Sequence, residues 1–330
     1  MTKTLINNCT LAKKDVSISA VRLSAMLMII LCHFFQYYDN ELCRWFNVGV
    51  QVFFVISGFL YGKKEIVNPL HFLFKGFKKI IVPYWIFLCF AVLLYYIFYR
   101  SYLSLTDVIK AFLCSGTIEG LGHLWFIGYI LFCYLLTPYL YWVRKETEHL
   151  PIGKQLECYF FLLLVVQIIG ISFNSYFHPD RVACYIIGFY IPSICKIAKK
   201  KQDQLLYIFV ILSAFITNII RIYVNYFSSA SISETAKTVI THYSHMLLGV
   251  ALFLILYQLF KHISYLGILR LSDKYSYSIY IVHLLFILSP FTLMSITNIV
   301  ILNWIFVIIA TFLLGYLLTE LSSKILNSKS

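Results

Sequence analysis

Arg22 and His33 stand eleven residues apart in one apolar run, SAVRLSAMLMIILCHFFQYY, at residues 19–38. One is a permanent cation that can grip an anionic group. The other is a base whose ordinary pKa, about 6.5, lies near neutrality. Both side chains are costly in lipid, so an ionisable residue at such a position is by default a functional-site hypothesis. Eleven helical steps of 100° come to about three turns plus 20°, which puts both on one face, about 16 Å apart along the axis. One stripe would then carry an anchor low and a proton acceptor high. The plain alternative is that Arg22 snorkels to the interface and His33 hydrogen-bonds a neighbouring helix.

Other polar residues inside apolar surroundings extend the set. His123 lies in GHLWF, at the start of an apolar run that continues past residue 140. Tyr280 and His283 lie in YSIYIVH, three residues apart and so on one helical face. The stretch KKEIVNPLHFLFKGFKKIIVPYW, residues 63–85, interleaves Phe72, Phe74 and Phe77 with Lys75, Lys78 and Lys79. It reads either as an interfacial helix drawn to anionic lipid or as a patch for a phosphate-bearing ligand. Histidines in loops are usually just solvated, and His242 and His245 with Arg221 carry only a weak expectation of meeting a polar acceptor.

These residues need scaffolding, and composition says what kind. The chain has 330 residues, 61% hydrophobic and only 12% charged, against about 25% charged for an ordinary soluble domain. The net charge of +13 does not mean nucleic acid, because the basic residues fall in short clusters between apolar runs. The nine cysteines include no Cys-x-x-Cys pair, so neither a metal site nor a disulfide framework is expected. A span takes about 20 apolar residues. About ten such runs are present: 17–38, 46–62, 80–99, 122–143, 157–174, 181–196, 204–224, 239–260, 275–291 and 295–321. The sixth and ninth are short for a span.

Loop charge orients them. With a cytoplasmic N-terminus the inner segments hold 20 Lys and Arg and the outer segments 6, with Arg22 inside the first span. That asymmetry is the positive-inside pattern. The expected fold is an all-α polytopic membrane protein, residues 1–330 forming one integral-membrane domain with both termini cytoplasmic. The basic segment 63–79 lies at its cytoplasmic mouth, and no separate soluble domain is expected. The first apolar run is too long for a signal-peptide core and reads as a retained span. Pro138 is expected to kink or end the fourth span.

Taken in order, Arg22 and His33, the run GVQVFFVISGFL, the basic segment ending KKIIVPYW, GHLWF and YSIYIVH resemble the membrane acyltransferase-3 family, the O-acyltransferases of bacterial surface polysaccharides. The resemblance spans residues 19–290, and the size is similar to the short stand-alone members. One departure is that Lys75, Lys78 and Lys79 stand where the family usually shows arginines. The resemblance implies a multi-pass protein of the bacterial cytoplasmic membrane. It implies acetyl-coenzyme A as donor, no metal, and a hydroxyl of a surface or lipid-linked saccharide as acceptor. It makes Arg22 and His33 the essential pair.

The roles follow from chemistry. His33 would take the alcohol proton or the acyl group itself. Arg22, with Lys75, Lys78 and Lys79, would hold the donor's phosphates. His123, Tyr280 and His283 would polarise the carbonyl or place the acceptor. A transporter of lipid-linked glycan, or a non-catalytic part of glycan assembly, remains the alternative reading.

Overall fold

A computed structural model describes residues 16–172, 178–197, 200–227, 233–263 and 267–328. Among them the chain is helical, with no strand. In order, the helices are α1 (Val16–Tyr37), α2 (Cys43–Phe46), α3 (Val48–Gly62), α4 (Pro69–Phe98), α5 (Leu105–Phe112), α6 (Trp125–Thr147), α7 (Ile152–Ser172), α8 (Pro179–Ile197), α9 (Lys200–Ile222), α10 (Glu234–Leu259), α11 (Gly267–Val282) and α12 (Val300–Asn327). Short 3₁₀ turns at Gly122–Leu124 and His283–Phe286 precede α6 and follow α11.

Eight helical segments of the described residues are long and apolar enough to cross a membrane. They correspond to eight of the ten expected runs, and the protein is a polytopic helical membrane protein. The other two, 181–196 and 275–291, also fold as helices but differ from a plain span. α8 opens on Asp180 and Arg181 and is enclosed by α3, α7 and α10. Val182, Cys184, Tyr185, Ile186 and Phe189 are all fully buried in it. A helix wrapped in protein need not offer lipid an apolar surface. α11 starts about eight residues earlier than the expected run and ends at Val282, where the chain turns. α6 continues past Pro138 to Thr147, so the proline does not end the helix. Membrane helices tolerate proline when neighbouring helices hold the segment in place.

α3 is the central strut, packed most extensively on α8 and also on α1 and α10. Its small residues make this possible. A Cβ added at Gly58 would run into the Tyr185 carbonyl of α8, and one at Gly49 into the Ala25 carbonyl of α1. Backbone-to-backbone approach of this kind leaves no room for any side chain.

A second apolar cluster fixes α1 against the other end of the fold. Met26, Ile30 and Phe34, one helical turn apart along α1, pack with Ile279, Leu284, Ile287 and Met294. Asn303 at the start of α12 ties down the loop after α11, its amide donating to the Met294 and Thr297 carbonyls at 2.8 Å each. The turn at His283 is therefore held against the C-terminal half of α1.

Candidate functional site

The polar residues sort to two ends of the bundle. At one end, three histidines from three elements meet. His33 lies on α1, His123 on the turn before α6 and His283 on the turn after α11. The His33 and His283 ring centres are 5.1 Å apart, and those of His123 and His283 4.8 Å. Tyr280 stands 5.5 Å from His123 and 5.6 Å from His283.

Helix termination explains why two of these rings sit where they do. The last carbonyls of a helix have no partner within it. α11 ends at Val282, and side chains satisfy its orphaned carbonyls. His123 donates from Nε2 to the Ile281 carbonyl at 2.8 Å. His283 donates from Nδ1 to the Tyr280 carbonyl at 2.6 Å. In return the Tyr280 hydroxyl donates to the His123 carbonyl at 2.8 Å. The α11 terminus and the α6 turn are thereby latched to each other.

Each donated N–H fixes a tautomer and leaves the second ring nitrogen as a lone pair. These are Nδ1 of His123 and Nε2 of His283, both buried and without a hydrogen-bond partner. His33 follows the same pattern on the rim. Its Nδ1 donates to Oε1 of Gln36, one turn on, at 2.8 Å, which leaves Nε2 as the basic nitrogen. His33 is half-buried, while His123 and His283 are 4% and 1% exposed, so His33 is the ring a substrate can reach.

Arg22 is not part of this cluster. It pairs with Asp273 of α11 at 2.5 Å, and Ser19 donates to the other oxygen of the same carboxylate at 2.7 Å. Asp273 is 4% exposed at its side chain and Arg22 20%. The cation is therefore partly compensated, and the pair joins the N-terminal half of α1 to α11.

Lys75, Lys78 and Lys79 lie exposed on the first turns of α4, beyond the Asn68 cap and Pro69. Their spacing puts all three on one face. Burial first, and then the charges of Lys79 and Lys75, push the pKa of Lys64 below its ordinary value. A cationic group therefore surrounds the link between α3 and α4. On another side of that link opens a cavity of about 1220 Å³, whose walls include Lys63, Arg144, Lys145, Lys261, Tyr207 and Tyr257. Arg144 staples its rim, donating to the Gly62 carbonyl and, at 3.1 Å, to that of Lys64.

The structure brings His33, His123, Tyr280 and His283, each named from the sequence, into one cluster, and it leaves Arg22 with Asp273, and Lys75, Lys78 and Lys79 on α4, outside it. Sequence reasoning misses Gln36, Asp273 and Arg144. Gln36 was findable as the residue three after His33 on one helix face, and Asp273 as an acid among apolar helices. Nothing local distinguishes Arg144 from a topology-setting charge.

The protein is thus a polytopic helical bundle with free imidazole nitrogens gathered near one end and a cation-lined cavity near the other. The profile of the acyltransferase domain family matches residues 15–320, and the chain belongs to that family. No curated protein and no solved structure matches the chain.

Proposed function

We propose that the protein is an O-acyltransferase that moves an acyl group, acetyl in the simplest case, from acyl-coenzyme A to a hydroxyl of a cell-surface or lipid-linked saccharide. The convergence of His33, His123 and His283, each with one nitrogen anchored and one free, carries this reading. Membership of an acyltransferase family favours it over glycan transport.

In this reading His33 Nε2 takes the proton of the acceptor hydroxyl as its oxygen attacks the thioester carbonyl. The tetrahedral adduct collapses, the C–S bond breaks, and the departing thiolate recovers the proton from the imidazolium. Gln36 keeps the ring in the tautomer that presents Nε2. His283 packs against the His33 ring and His123 against His283, so the buried pair positions the reactive imidazole. The Tyr280 hydroxyl, already bonded to His123, braces the site.

On the basic end, Lys63, Lys64, Lys75, Lys78, Lys79, Arg144 and Lys261 supply charge for the donor's phosphates. Arg22 holds α11 through Asp273, and its remaining guanidinium donors would serve the donor's phosphates. The excess of basic residues at this end makes it cytoplasmic by the positive-inside rule, in a bacterial cytoplasmic membrane. On the histidine end a cavity of about 240 Å³ is walled by Arg44, Trp45, Arg221, Asn225, Tyr226 and Thr241. An aromatic wall with amide, hydroxyl and guanidinium donors suits a sugar ring.

The test is transfer of labelled acetyl from acetyl-coenzyme A to host glycan by the protein purified into nanodiscs, with donor binding measured in parallel. Transfer by the wild type, and its loss with donor binding intact in His33→Ala, is the expected result. Full turnover in His33→Ala overturns the assignment of the base. Failure of the wild type to bind or consume any acyl-coenzyme A overturns the reaction.

A further inference from the structure

Outside the histidine cluster, one group of side chains has no part in the chemistry above. His178 and Asp180 flank the start of α8, and His242 lies in the first third of α10. Their ligand atoms all come within 4.8 Å of one another. The His178 and His242 rings are 4.6 Å apart. Asp180 is 1% exposed, and both of its carboxylate oxygens are buried without a hydrogen-bond partner.

That is an expensive arrangement for an anion. A carboxylate taken out of water costs several kcal/mol unless a counter-charge and donors compensate it. The neighbours do not supply the donors. Arg181 turns away and lays its guanidinium over Trp125, 3.6 Å from the ring centre. Arg221 gives its hydrogen bond to Nδ1 of His245 at 2.8 Å. The Tyr243 hydroxyl is spent on Gln167. His242 approaches most closely, with Nδ1 3.6 Å from Oδ1 of Asp180. That separation is too long for a hydrogen bond, but it is close to the edge of a coordination tetrahedron. Two ligand atoms about 2.0–2.1 Å from one zinc ion stand about 3.3 Å apart.

The geometry points to a divalent transition-metal site, of the zinc class, formed by His178, Asp180 and His242. Two imidazoles and one carboxylate suit zinc, with a fourth position open to water. The ion neutralises Asp180 and cross-links the start of α8 to α10. It also steadies Arg181 and the Trp125 it covers, two residues from His123. No sequence spacing announces this site, because His178 and Asp180, at the start of α8, lie more than sixty residues from His242 on α10.

The test uses protein purified without a polyhistidine tag, stripped with chelator and dialysed against zinc chloride, then desalted. Mass spectrometry of the metal should find about one zinc per chain in the wild type and a small fraction of that in Asp180→Asn and in His242→Gln. A second measurement needs no variant. Loading the wild type with one equivalent of copper(II) should give a paramagnetic resonance spectrum with hyperfine coupling to two imidazole nitrogens. Zinc should also raise the thermal midpoint of the wild type and leave that of Asp180→Asn unchanged. A wild type that retains no stoichiometric zinc and shows no nitrogen coupling overturns the site, leaving Asp180 and His242 as an ion pair only.

Discussion

The histidine end and the lysine end of this protein use polar residues in opposite ways. At the histidine end almost every N–H and O–H is committed: His123, Tyr280 and His283 lock the end of α11 to the turn before α6. What remains free is a small set of lone pairs in fixed directions. At the lysine end Lys75, Lys78 and Lys79 are exposed, and a wide cavity stands open between α3, α8 and α10. The difference is that a reacting atom needs a position defined to a fraction of an ångström, whereas a polyphosphate needs mainly a field. Directional hydrogen bonds supply the first, and long flexible ammonium side chains supply the second.

This contrast predicts where substitutions fall in kinetics. The largest effect is expected for His33→Ala, which should lower kcat about 10²–10⁴-fold, the usual contribution of a general base, with donor affinity within a factor of about two. Rapid-quench assays with saturating donor measure it. A loss of the same size in donor affinity would instead make the two ends one site.

Next in size is the link between them. Breaking a buried ion pair by removing one partner costs about 3–5 kcal/mol, because the other charge is left uncompensated. With Arg22 partly exposed, the lower end of that range applies to the Arg22–Asp273 pair. Thermal unfolding should therefore show Arg22→Met to be less stable than the double variant Arg22→Met, Asp273→Leu. A double variant as unstable as the single one would remove the structural role of the pair.

Gln36→Leu should act more mildly, lowering kcat about tenfold while leaving the thermal midpoint near that of the wild type, since it releases the His33 ring without removing it. Gln36→Glu, which keeps an acceptor for Nδ1, should restore part of the loss. Smaller still, each of Lys75→Gln, Lys78→Gln and Lys79→Gln should raise the donor KM a few-fold, about 1 kcal/mol or less per charge. The effect should shrink at high salt and spare kcat.

The smallest effect is on pH. The Lys64 pKa lies below its ordinary value, so this ammonium loses its proton at a lower pH than an ordinary lysine does. Donor affinity should fall as pH passes through that lowered pKa, and the fall should move to higher pH in Lys64→Arg. Calorimetric titration with a non-reactive acyl-coenzyme A analogue reads it. An unmoved profile would place Lys64 outside the anion site.

Much of the fold is legible in residue order because lipid imposes a one-dimensional rule. Eight apolar runs became eight helices of membrane-spanning length, and alternating basic loops read as two opposite ends. The rule weakens where protein replaces lipid, at α8 and α11, whose polar residues are tolerated because other helices surround them. It also cannot see Pro138, which α6 passes through. The acid and amide partners were harder to read. Asp273 is one charged residue in a stretch that also contains Lys274, and only the approach of α1 makes it the partner of Arg22.

By itself, then, the chain determined a membrane-embedded helical protein and the one-helix alignment of Arg22 with His33, because helical periodicity and hydropathy are local properties. Only the tertiary structure decided which of these residues meet. It brought the His283 ring to about 5 Å from those of His33 and His123 and gave Arg22 to Asp273. It also placed His242 beside His178 and Asp180. The physical reason is that the end of α11 must satisfy its carbonyls and α3 must pack on α8 at backbone distance. Both demands are met by partners more than 100 residues away in the chain.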